Sequence, residues 1–203
     1  MECWRERLYD GLFIGSAADK PRISLNTTFS AMTTYSVLFV CMGNICRSPT
    51  AHGVFRHKIA DQGLDQWIKV DSAGTHDYHP DCPPDERSQA HAAKRGYDLS
   101  DLRARQIQDA DFEDYDLIAV MDMDNLALVR EWCPPEHRHK VRRLTEFCIR
   151  LDSDVVPDPY YGGGNGFEHV LDLIEDACEG LIEHVRQGDQ SKPALPASKT
   201  RSK

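Results

Sequence analysis

The sequence contains no long hydrophobic run. Its longest apolar stretch, Val37 to Met42, is far shorter than the ~20 residues that a membrane-spanning helix requires. The first residues mix acidic and basic side chains, and no apolar segment followed by a small-residue cleavage site is seen there, which argues against a secretory signal. We therefore expect a cytoplasmic protein that does not bind the membrane.

An excess of positive charge and an even set of cysteines are also missing. The net charge is -9, whereas binding to a nucleic-acid backbone needs a broad cationic surface, so we expect no nucleic-acid partner. The seven cysteines are an odd number scattered along the chain, which favours reduced thiols over a disulfide framework. An acidic protein can still bind a small anion, because backbone N–H groups and one arginine create a local positive field.

The 203 residues are enough for one domain with two tails. Residues 1–35 show no sustained helical or strand period and are predicted to be an N-terminal extension. Met32 is the only methionine between Met1 and the first predicted strand, which gives the hypothesis that translation starts there. Residues 36–186 form the predicted domain. Residues 187–203 are polar and rich in Ser, Lys and Pro, and are predicted to be a disordered tail.

Short apolar runs alternate with helical patterns in the predicted domain. This alternation predicts a doubly wound α/β fold, with one four-stranded parallel sheet and helices on both faces. The predicted strands are Ser36–Val40, Trp67–Asp71, Asp116–Met121 and a weaker Val141–Phe147. The first predicted helix is capped by Ser48, has Pro49 at its first position and ends near Gly63. The other predicted helices are Asp85–Arg95, Asn125–Trp132 and an amphipathic helix from Phe167 to Val185.

A Cys and an Arg separated by five residues directly follow the first predicted strand, in the segment Cys41 to Ser48. A short loop between a strand and a helix N-terminus can aim successive N–H groups at one point, where the helix dipole adds partial positive charge. An anion with three oxygens fits such a cradle. A cysteine at its floor lies in the same field, which favours its thiolate and makes Cys41 the candidate nucleophile.

The other residues of this segment support the same interpretation. Arg47 has a planar fork that can hold two phosphoryl oxygens, which lysine cannot do with the same geometry. Gly43 and Asn44 tolerate the left-handed backbone that a tight cradle needs. Ser48 is predicted both to cap the helix and to donate its hydroxyl to the thiolate. The predicted phosphate-binding residues are Met42, Gly43, Asn44, Ile45, Cys46, Arg47 and Ser48.

The sequence resembles the low-molecular-weight protein tyrosine phosphatases, with a bacterial-like character. Their early V-C-x-G-N-I-C-R-S-P signature matches Val40 to Pro49, and their late D-P-Y motif matches Asp158 to Tyr160. Asp71 to Thr75 and Arg103 to Gln106 match further family segments. The resemblance covers residues 36–185. Two separated motifs in the right order are more specific than the loop alone, because Cys-x5-Arg also occurs in other phosphatases and in rhodanese-like proteins.

The resemblance implies a phosphotyrosine phosphatase that forms a phosphocysteine on Cys41 and needs no metal or cofactor. Asp158 would be the general acid and then the base toward water, contributing ~10²–10⁴-fold. Tyr160, Tyr161 and Tyr78 would form aromatic walls that select phosphotyrosine over shorter phosphoserine. The implied substrate is a phosphotyrosine-bearing protein or a small aryl phosphate, and we expect a monomer.

Two further expectations come from the resemblance. Cys46 would close a reversible disulfide with Cys41 that protects the nucleophile from over-oxidation. Leu102 stands where many members have a histidine that orients the loop asparagine and serine, so the hydrogen-bond support of Asn44 and Ser48 is open to question.

Three other functions remain as alternatives. An arsenate reductase of the same fold would need a closely spaced resolving cysteine pair, which the scattered remaining cysteines do not offer. A zinc module would need Cys82 with His76 and His79, or Cys133 with His137 and His139, and neither set has the usual paired spacing. A non-catalytic phosphotyrosine-binding domain would not need both Cys41 and Asp158. The acidic run from Asp122 to Asp124 suggests magnesium, but it is more typical of a strand end that enters a helix.

Overall fold

The computed structural model describes residues 35–160 and 163–188, with the backbone alone for residues 163–165. The predicted N-terminal extension except for Tyr35, the predicted tail except for Gln187 and Gly188, and Tyr161 lie outside the described residues.

Four parallel strands form a single sheet in the spatial order β2-β1-β3-β4. The strands are β1 (Tyr35–Cys41), β2 (Ile68–Gly74), β3 (Leu117–Val120) and β4 (Val141–Arg143). All four lie within or next to the predicted apolar runs. The predicted four-stranded parallel sheet is therefore confirmed.

Helices cover both faces of this sheet. They are α1 (Arg47–Asp61), α2 (Glu86–Lys94), α3 (Asp109–Asp114), α4 (Met123–Trp132) and α5 (Gly163–Gln187). α1 and α5 pack against each other on one face. α3, which the sequence analysis did not predict, contributes Phe112 to the core of the opposite face, and α4 contributes Val129 to the same core. In the part of the chain that the structure describes, no helix has the length and apolarity needed to cross a bilayer.

The central strand β1 is buried on both faces, and its side chains alternate between two cores. Val37, Phe39 and Cys41 belong to the core under α1 and α5, whereas Leu38 and Val40 belong to the core under α3 and α4. This is the period of two that a strand imposes on its side chains. Phe39 meets Phe55 of α1 edge to face, with ring centroids 5.6 Å apart. Full burial of such a side chain contributes about 1.5–3 kcal/mol.

The predicted fourth strand, Val141–Phe147, is wrong in its second half. The strand ends at Arg143, and Leu144–Phe147 is a 3₁₀ helix that packs against α5. Leu144 and Phe147 are both buried and are three residues apart, so a 3₁₀ turn places them on the same side. Another 3₁₀ helix, Pro135–Lys140, precedes β4.

The predicted start of the first helix is also wrong. α1 begins at Arg47, and the described side chains supply no cap at its N-cap position, Cys46. The hydroxyl of Ser48 points instead into the cluster around Cys41. The predicted helix ends are correct, since Gly63 and Gly96 follow α1 and α2 with φ of +67° and +87°, where glycine avoids the cost of a left-handed backbone.

Candidate active site

The carboxyl ends of the parallel strands gather four segments at one edge of the sheet, which is where open α/β sheets bind ligands. These segments are the phosphate loop after β1, defined here as Cys41 to Ser48, the segment after β2, the start of α4 after β3, and the acid loop, defined as Val155 to Tyr160. The backbone N–H of Val156 donates to Met121 O at 2.7 Å. This bond fixes the acid loop to the end of β3.

Backbone hydrogen bonds hold the phosphate loop from outside. Thr75 N donates to Cys41 O at 2.8 Å, His76 N to Met42 O at 2.9 Å, and Asp85 N to Ile45 O at 2.8 Å. In a planar trans peptide the carbonyl group of one residue and the N–H group of the following residue point in opposite directions. The N–H groups of residues 42, 43 and 46 are therefore turned away from these neighbours, which is the orientation that an anion cradle needs.

Asn44 and the two glycines of this region have different conformational roles. Asn44 has a φ of +53°, as predicted for the tight turn. The prediction of a left-handed Gly43 is wrong, because Gly43 lies outside that region. Gly43 instead leaves room for the ring of His79, since an added Cβ would lie 3.3 Å from His79 Cδ2. At Gly74 an added Cβ would lie 2.9 Å from Met42 O, so only glycine lets β2 approach the loop this closely.

Cys41, Ser48 and Asn44 form one buried hydrogen-bonded cluster. Ser48 Oγ lies 3.1 Å from Cys41 Sγ and 3.2 Å from Ala73 O, and it accepts from Asn44 Nδ2 at 2.9 Å. The hydroxyl has one proton to donate. When Cys41 is a thiol, that proton can go to Ala73 O. When Cys41 is a thiolate, the same proton can turn to the sulfur.

A backbone N–H group of the segment before α3 supports Asn44. Arg105 N donates to Asn44 Oδ1 at 3.0 Å. The Arg105 side chain is itself fixed by ion pairs with Asp71 and Asp111. Leu102 is buried, with 8% of its surface exposed. Asn44 and Ser48 therefore remain hydrogen-bonded with leucine at position 102.

Arg47 is buried beneath the loop with its guanidinium bonded to three groups. It forms an ion pair with Asp122, donates to Val156 O at 3.1 Å, and lies 3.3 Å from Asp158 Oδ2. Burial alone would lower the pKa of Arg47, but the negative charges of Cys41, Asp122 and Asp158 outweigh it, and the pKa is raised. The guanidinium is therefore charged at neutral pH.

Asp122 is a site residue that the sequence analysis missed. It caps α4 by accepting from Asn125 N at 2.7 Å, which agrees with the predicted strand end entering a helix, and its other oxygen binds Arg47. A signal was available, because Asp122 follows β3 and the carboxyl ends of neighbouring parallel strands meet at one edge. Asp122 holds one side of the arginine fork.

Asp158 faces the phosphate loop from the acid loop. Its Oδ1 accepts from Tyr160 N at 3.0 Å, and its Oδ2 lies next to Arg47 Nη2. The side chain is 40% exposed, compared with 4% for Arg47. The carboxyl group can therefore meet both a bound anion and solvent.

The phosphate loop and the acid loop line a cleft of about 340 Å³. Tyr78 and Tyr160 flank it with 61% and 46% of their surfaces exposed. The sequence analysis named His79 only in a zinc set and did not predict its place in the cleft, which it lines while packed on Gly43. The lining residues are Cys41, Met42, Gly43, Ile45, Cys46, Arg47, Tyr78, His79, Asp158 and Tyr160.

Cys46 differs from Cys41 in its surroundings. It is 6% exposed, and burial, together with the negative charges of Asp85, Cys41 and Asp158, raises its pKa to about 12. Cys46 is therefore a protonated thiol at neutral pH. This makes it a poor candidate for the nucleophile.

The side chains named for the zinc and magnesium alternatives are all within the described ranges. Within the described ranges, no group of three or more His, Cys, Asp and Glu side chains is arranged to hold a metal ion. Neither proposed zinc set, nor the Asp122 to Asp124 run, forms such a group there.

Residues 36–191 match the family model of the low molecular weight phosphotyrosine protein phosphatases. The chain belongs to this family. It is 43% identical to the low molecular weight protein-tyrosine-phosphatase of Streptomyces coelicolor over 165 residues, which cover 79% of this chain and 99% of the relative. It is 39% identical to the Bacillus subtilis enzyme YfkJ over 155 residues, covering 76% and 98%.

Solved structures of the family share the fold. The crystal structure of a protein tyrosine phosphatase from Entamoeba histolytica aligns with a TM-score of 0.75 and 39% identity, covering 76% of this chain and 99% of that one. The YfkJ crystal structure aligns with a TM-score of 0.74, covering 79% and 99%. This low-molecular-weight phosphatase is thus a hydrolase of the phosphotyrosine phosphatase class, and its relatives do not favour an arsenate reductase.

Proposed function

We propose that this phosphatase hydrolyses phosphotyrosine in proteins, and small aryl phosphates, through a phosphocysteine on Cys41. The observation that carries the proposal is the shared cleft, which brings the sulfur of Cys41, the guanidinium of Arg47 and the carboxyl of Asp158 to one place. These are the nucleophile, the anion clamp and the proton donor that phosphoryl transfer to a thiolate needs.

In the first step the Cys41 thiolate attacks phosphorus. An S–P bond forms while the bond from phosphorus to the phenolic oxygen breaks, and the proton of the Asp158 carboxyl group moves to that oxygen. Arg47 and the N–H groups of the phosphate loop stabilise the equatorial oxygens, which carry the charge of the transition state. The products are the phenol, an ionised Asp158 and phosphocysteine.

In the second step water hydrolyses the phosphocysteine. Asp158 takes a proton from the attacking water, the new O–P bond forms, and the S–P bond breaks to give phosphate and the Cys41 thiolate. Ser48 stabilises the leaving sulfur by turning its hydroxyl proton from Ala73 O to the thiolate, which lies 3.1 Å away. Asn44 keeps Ser48 in this position by donating to its oxygen.

The walls of the cleft select an aromatic leaving group. Tyr78 and Tyr160 give two exposed ring surfaces between which a phenyl ring can stack. Tyr78 is held by stacking on His76, with centroids 4.8 Å apart. Tyr161 is proposed as a further wall from its place in the D-P-Y-Y motif.

Cys46 is proposed to protect the nucleophile. Oxidation of the Cys41 thiolate by peroxide to a sulfenic acid would be followed by attack of Cys46 sulfur on Cys41 sulfur, with loss of water, to give a disulfide. Because Cys46 is buried and protonated at neutral pH, its attack needs prior loss of the proton. A thiol reductant would then restore both cysteines.

The substrate is proposed to be a phosphotyrosine-bearing protein, handled by a cytoplasmic monomer that does not bind nucleic acid. The acidic composition supports the last point, because the net charge of -9 repels a phosphate backbone.

The direct test is a comparison of the wild type, Cys41→Ser and Asp158→Ala on a phosphotyrosine peptide and p-nitrophenyl phosphate, with EDTA present. Arsenate-dependent thiol consumption is measured in parallel. We expect metal-independent hydrolysis that Cys41→Ser abolishes. Asp158→Ala should lower kcat/KM for the peptide by ~10²–10⁴-fold.

Other outcomes would replace the proposal. Thiol-coupled turnover of arsenate without phosphate release would assign the reductase activity. Absence of both activities, with retained binding of the phosphotyrosine peptide, would indicate a binding module.

A further inference from the structure

Arg87, on the first turn of α2, lies between two aromatic rings. Its guanidinium carbon is 4.9 Å from the ring centroid of Tyr160 on the acid loop and 5.0 Å from that of Phe167 on α5. A planar cation at these distances is attracted to the face of each ring. One side chain on α2 therefore contacts both the acid loop and the helix that follows it.

The same guanidinium is bonded at two other places. Its Nε and Nη2 donate to the two carboxylate oxygens of Asp85 at 3.0 and 2.8 Å, and its Nη1 donates to Tyr160 O at 3.2 Å. The paired contact with Asp85 fixes the plane of the fork, as in other two-point arginine–carboxylate pairs. The fork can then hold the carbonyl group and the ring of Tyr160 together.

Both ends of this connection lead to the reacting groups. On one side, Asp85 N donates to Ile45 O of the phosphate loop at 2.8 Å. On the other side, Tyr160 N donates to Asp158 Oδ1 at 3.0 Å. The Arg87 side chain thus links the loop that holds the nucleophile to the loop that holds the proposed acid.

We propose that Arg87 is a positioning residue that sets the placement of Asp158 over the phosphate loop. The proposal rests on the proposed role of Asp158 as general acid. Arg87 does not line the cleft, so it acts through Tyr160 and not on the substrate. A loose acid loop would misplace the carboxyl group, and small misplacements of a reacting group carry large rate costs.

The effect of such a residue depends on the leaving group. A strongly basic leaving group such as phenolate needs its oxygen protonated as the bond to phosphorus breaks. The weakly basic dinitrophenolate leaves without this help. Since kcat/KM reports the steps up to formation of the phosphocysteine, a misplaced acid lowers it for phenyl phosphate and spares it for 2,4-dinitrophenyl phosphate. A purely structural role would lower both values together.

Arg95 is the matched control because it ties the same two helices without touching the acid loop. It pairs with Glu168, Asp172 and Glu175 of α5. Arg95→Ala should therefore cost stability without any dependence on the leaving group. Arg87→Lys tests the planar fork, because an ammonium group cannot hold Asp85 with two bonds while stacking between two rings.

The experiment measures kcat/KM of the full chain for both aryl phosphates in five proteins: the wild type, Arg87→Ala, Arg87→Lys, Arg95→Ala and Asp158→Ala. For Arg87→Ala we expect a loss of about tenfold on phenyl phosphate and less than about twofold on dinitrophenyl phosphate. Arg87→Lys should show a smaller loss of the same kind. Equal losses on both substrates in Arg87→Ala would overturn the proposal.

A double variant separates this inference from the proposed function. In the Asp158→Ala background, Arg87→Ala should cause no further loss on phenyl phosphate, because the group it positions is gone. A full additional loss would mean that Arg87 acts by another route. If Asp158→Ala lowers kcat/KM equally for both aryl phosphates, Asp158 is not the general acid. That result would contradict the proposed function independently of the Arg87 variants.

Discussion

The phosphate loop and the acid loop face each other across one cleft but are held in different ways. In the phosphate loop, Asn44, Arg47 and Ser48 are each at most 3% exposed, and backbone bonds from the segment after β2 fix its carbonyl groups. In the acid loop, the side chain of Asp158 is 40% exposed and Tyr160 is 46% exposed. The Arg87 side chain of α2 contacts both the carbonyl group and the ring of Tyr160.

The difference indicates a division of work. A buried, backbone-held cradle is already organised before a phosphate arrives, which is how fixed dipoles stabilise developing charge. The proposed acid must be open to water, because after giving its proton to the phenol it takes one from the attacking water in the second step. Substitutions in the phosphate loop should therefore affect every substrate, and those around the acid loop should affect substrates according to their leaving group.

The largest expected effect is that of Arg47→Lys on the phosphate loop. A lysine cannot hold two phosphoryl oxygens and still bond to Asp122 and Val156 O. The charge on the phosphoryl oxygens in the transition state is therefore less stabilised. We expect kcat/KM to fall by ~10³-fold on phenyl phosphate and on dinitrophenyl phosphate alike. Steady-state kinetics on both substrates measures this, and circular dichroism confirms folding. A loss confined to phenyl phosphate would contradict the distinction drawn between the phosphate loop and the acid loop.

Asn44→Ala should have the next largest effect. It removes the donor to Ser48 and the acceptor for Arg105 N, at a position whose φ is +53°. We expect a loss of about 10–100-fold in kcat/KM on both substrates. Asn44→Gly is the control, because glycine tolerates this backbone but also lacks the side chain. If Asn44→Gly is fully active, backbone strain and not hydrogen bonding explains the loss in Asn44→Ala.

Cys46→Ser should leave turnover within about threefold of the wild type but change the response to peroxide. Without Cys46 the oxidised Cys41 has no neighbouring thiol in the loop to form a disulfide, and it proceeds to irreversible acids. We expect most wild-type activity to return on adding dithiothreitol after a peroxide pulse, and little in the variant. Cys82→Ser, at an exposed cysteine, should recover like the wild type. Equal recovery in Cys46→Ser would remove Cys46 from this role.

Substitution of His52 should have the smallest effect on activity but a measurable effect on stability. It is 7% exposed on α1, 3.9 Å from Asp71, which anchors Arg105. Burial lowers its pKa from 6.5 to about 4, and the charge of Asp71 offsets this only in part. A lowered folded-state pKa means that the unfolded chain binds the proton first. Stability is therefore lost as the pH falls from ~6.5 to ~4.

The expected contribution of His52 to this acid loss is about 3 kcal/mol. Urea unfolding at several pH values between neutral and mildly acidic measures it in the wild type and in His52→Gln, which should lose less stability over the same range. His57→Gln, at an exposed position on the same helix, is the control and should follow the wild type. A His52→Gln curve parallel to that of the wild type would contradict the burial argument.

The sequence predicted the parts of the molecule that local rules decide. The apolar runs predicted the four strands, Gly63 marked the end of α1, and the spacing of Cys41 and Arg47 indicated the phosphate loop. These features depend on side-chain period, on φ and on a loop between one strand and one helix. The wrong extension of β4 arose because Leu144 and Phe147 fit either an apolar strand or a 3₁₀ turn.

What the sequence did not reveal depends on contacts between distant segments. Arg47 and Asp122 are 75 residues apart, and Arg87 and Tyr160 are 73 residues apart. Such pairs form only when the folded sheet brings the carboxyl ends of its strands close to one another. The support of Asn44 with leucine at position 102 likewise could not be judged from sequence, because the partner of Asn44 Oδ1 is a backbone N–H group, that of Arg105.

The central claim, that Cys41 carries the phosphoryl group, can be tested by trapping the intermediate. The wild type is mixed with p-nitrophenyl phosphate, quenched in acid within the first turnovers, digested and analysed by mass spectrometry. We predict phosphate on the sulfur of Cys41 in the wild type and in Cys46→Ser, and none in Cys41→Ser. Phosphate on Cys46, or rapid turnover without any phosphocysteine, would contradict the account.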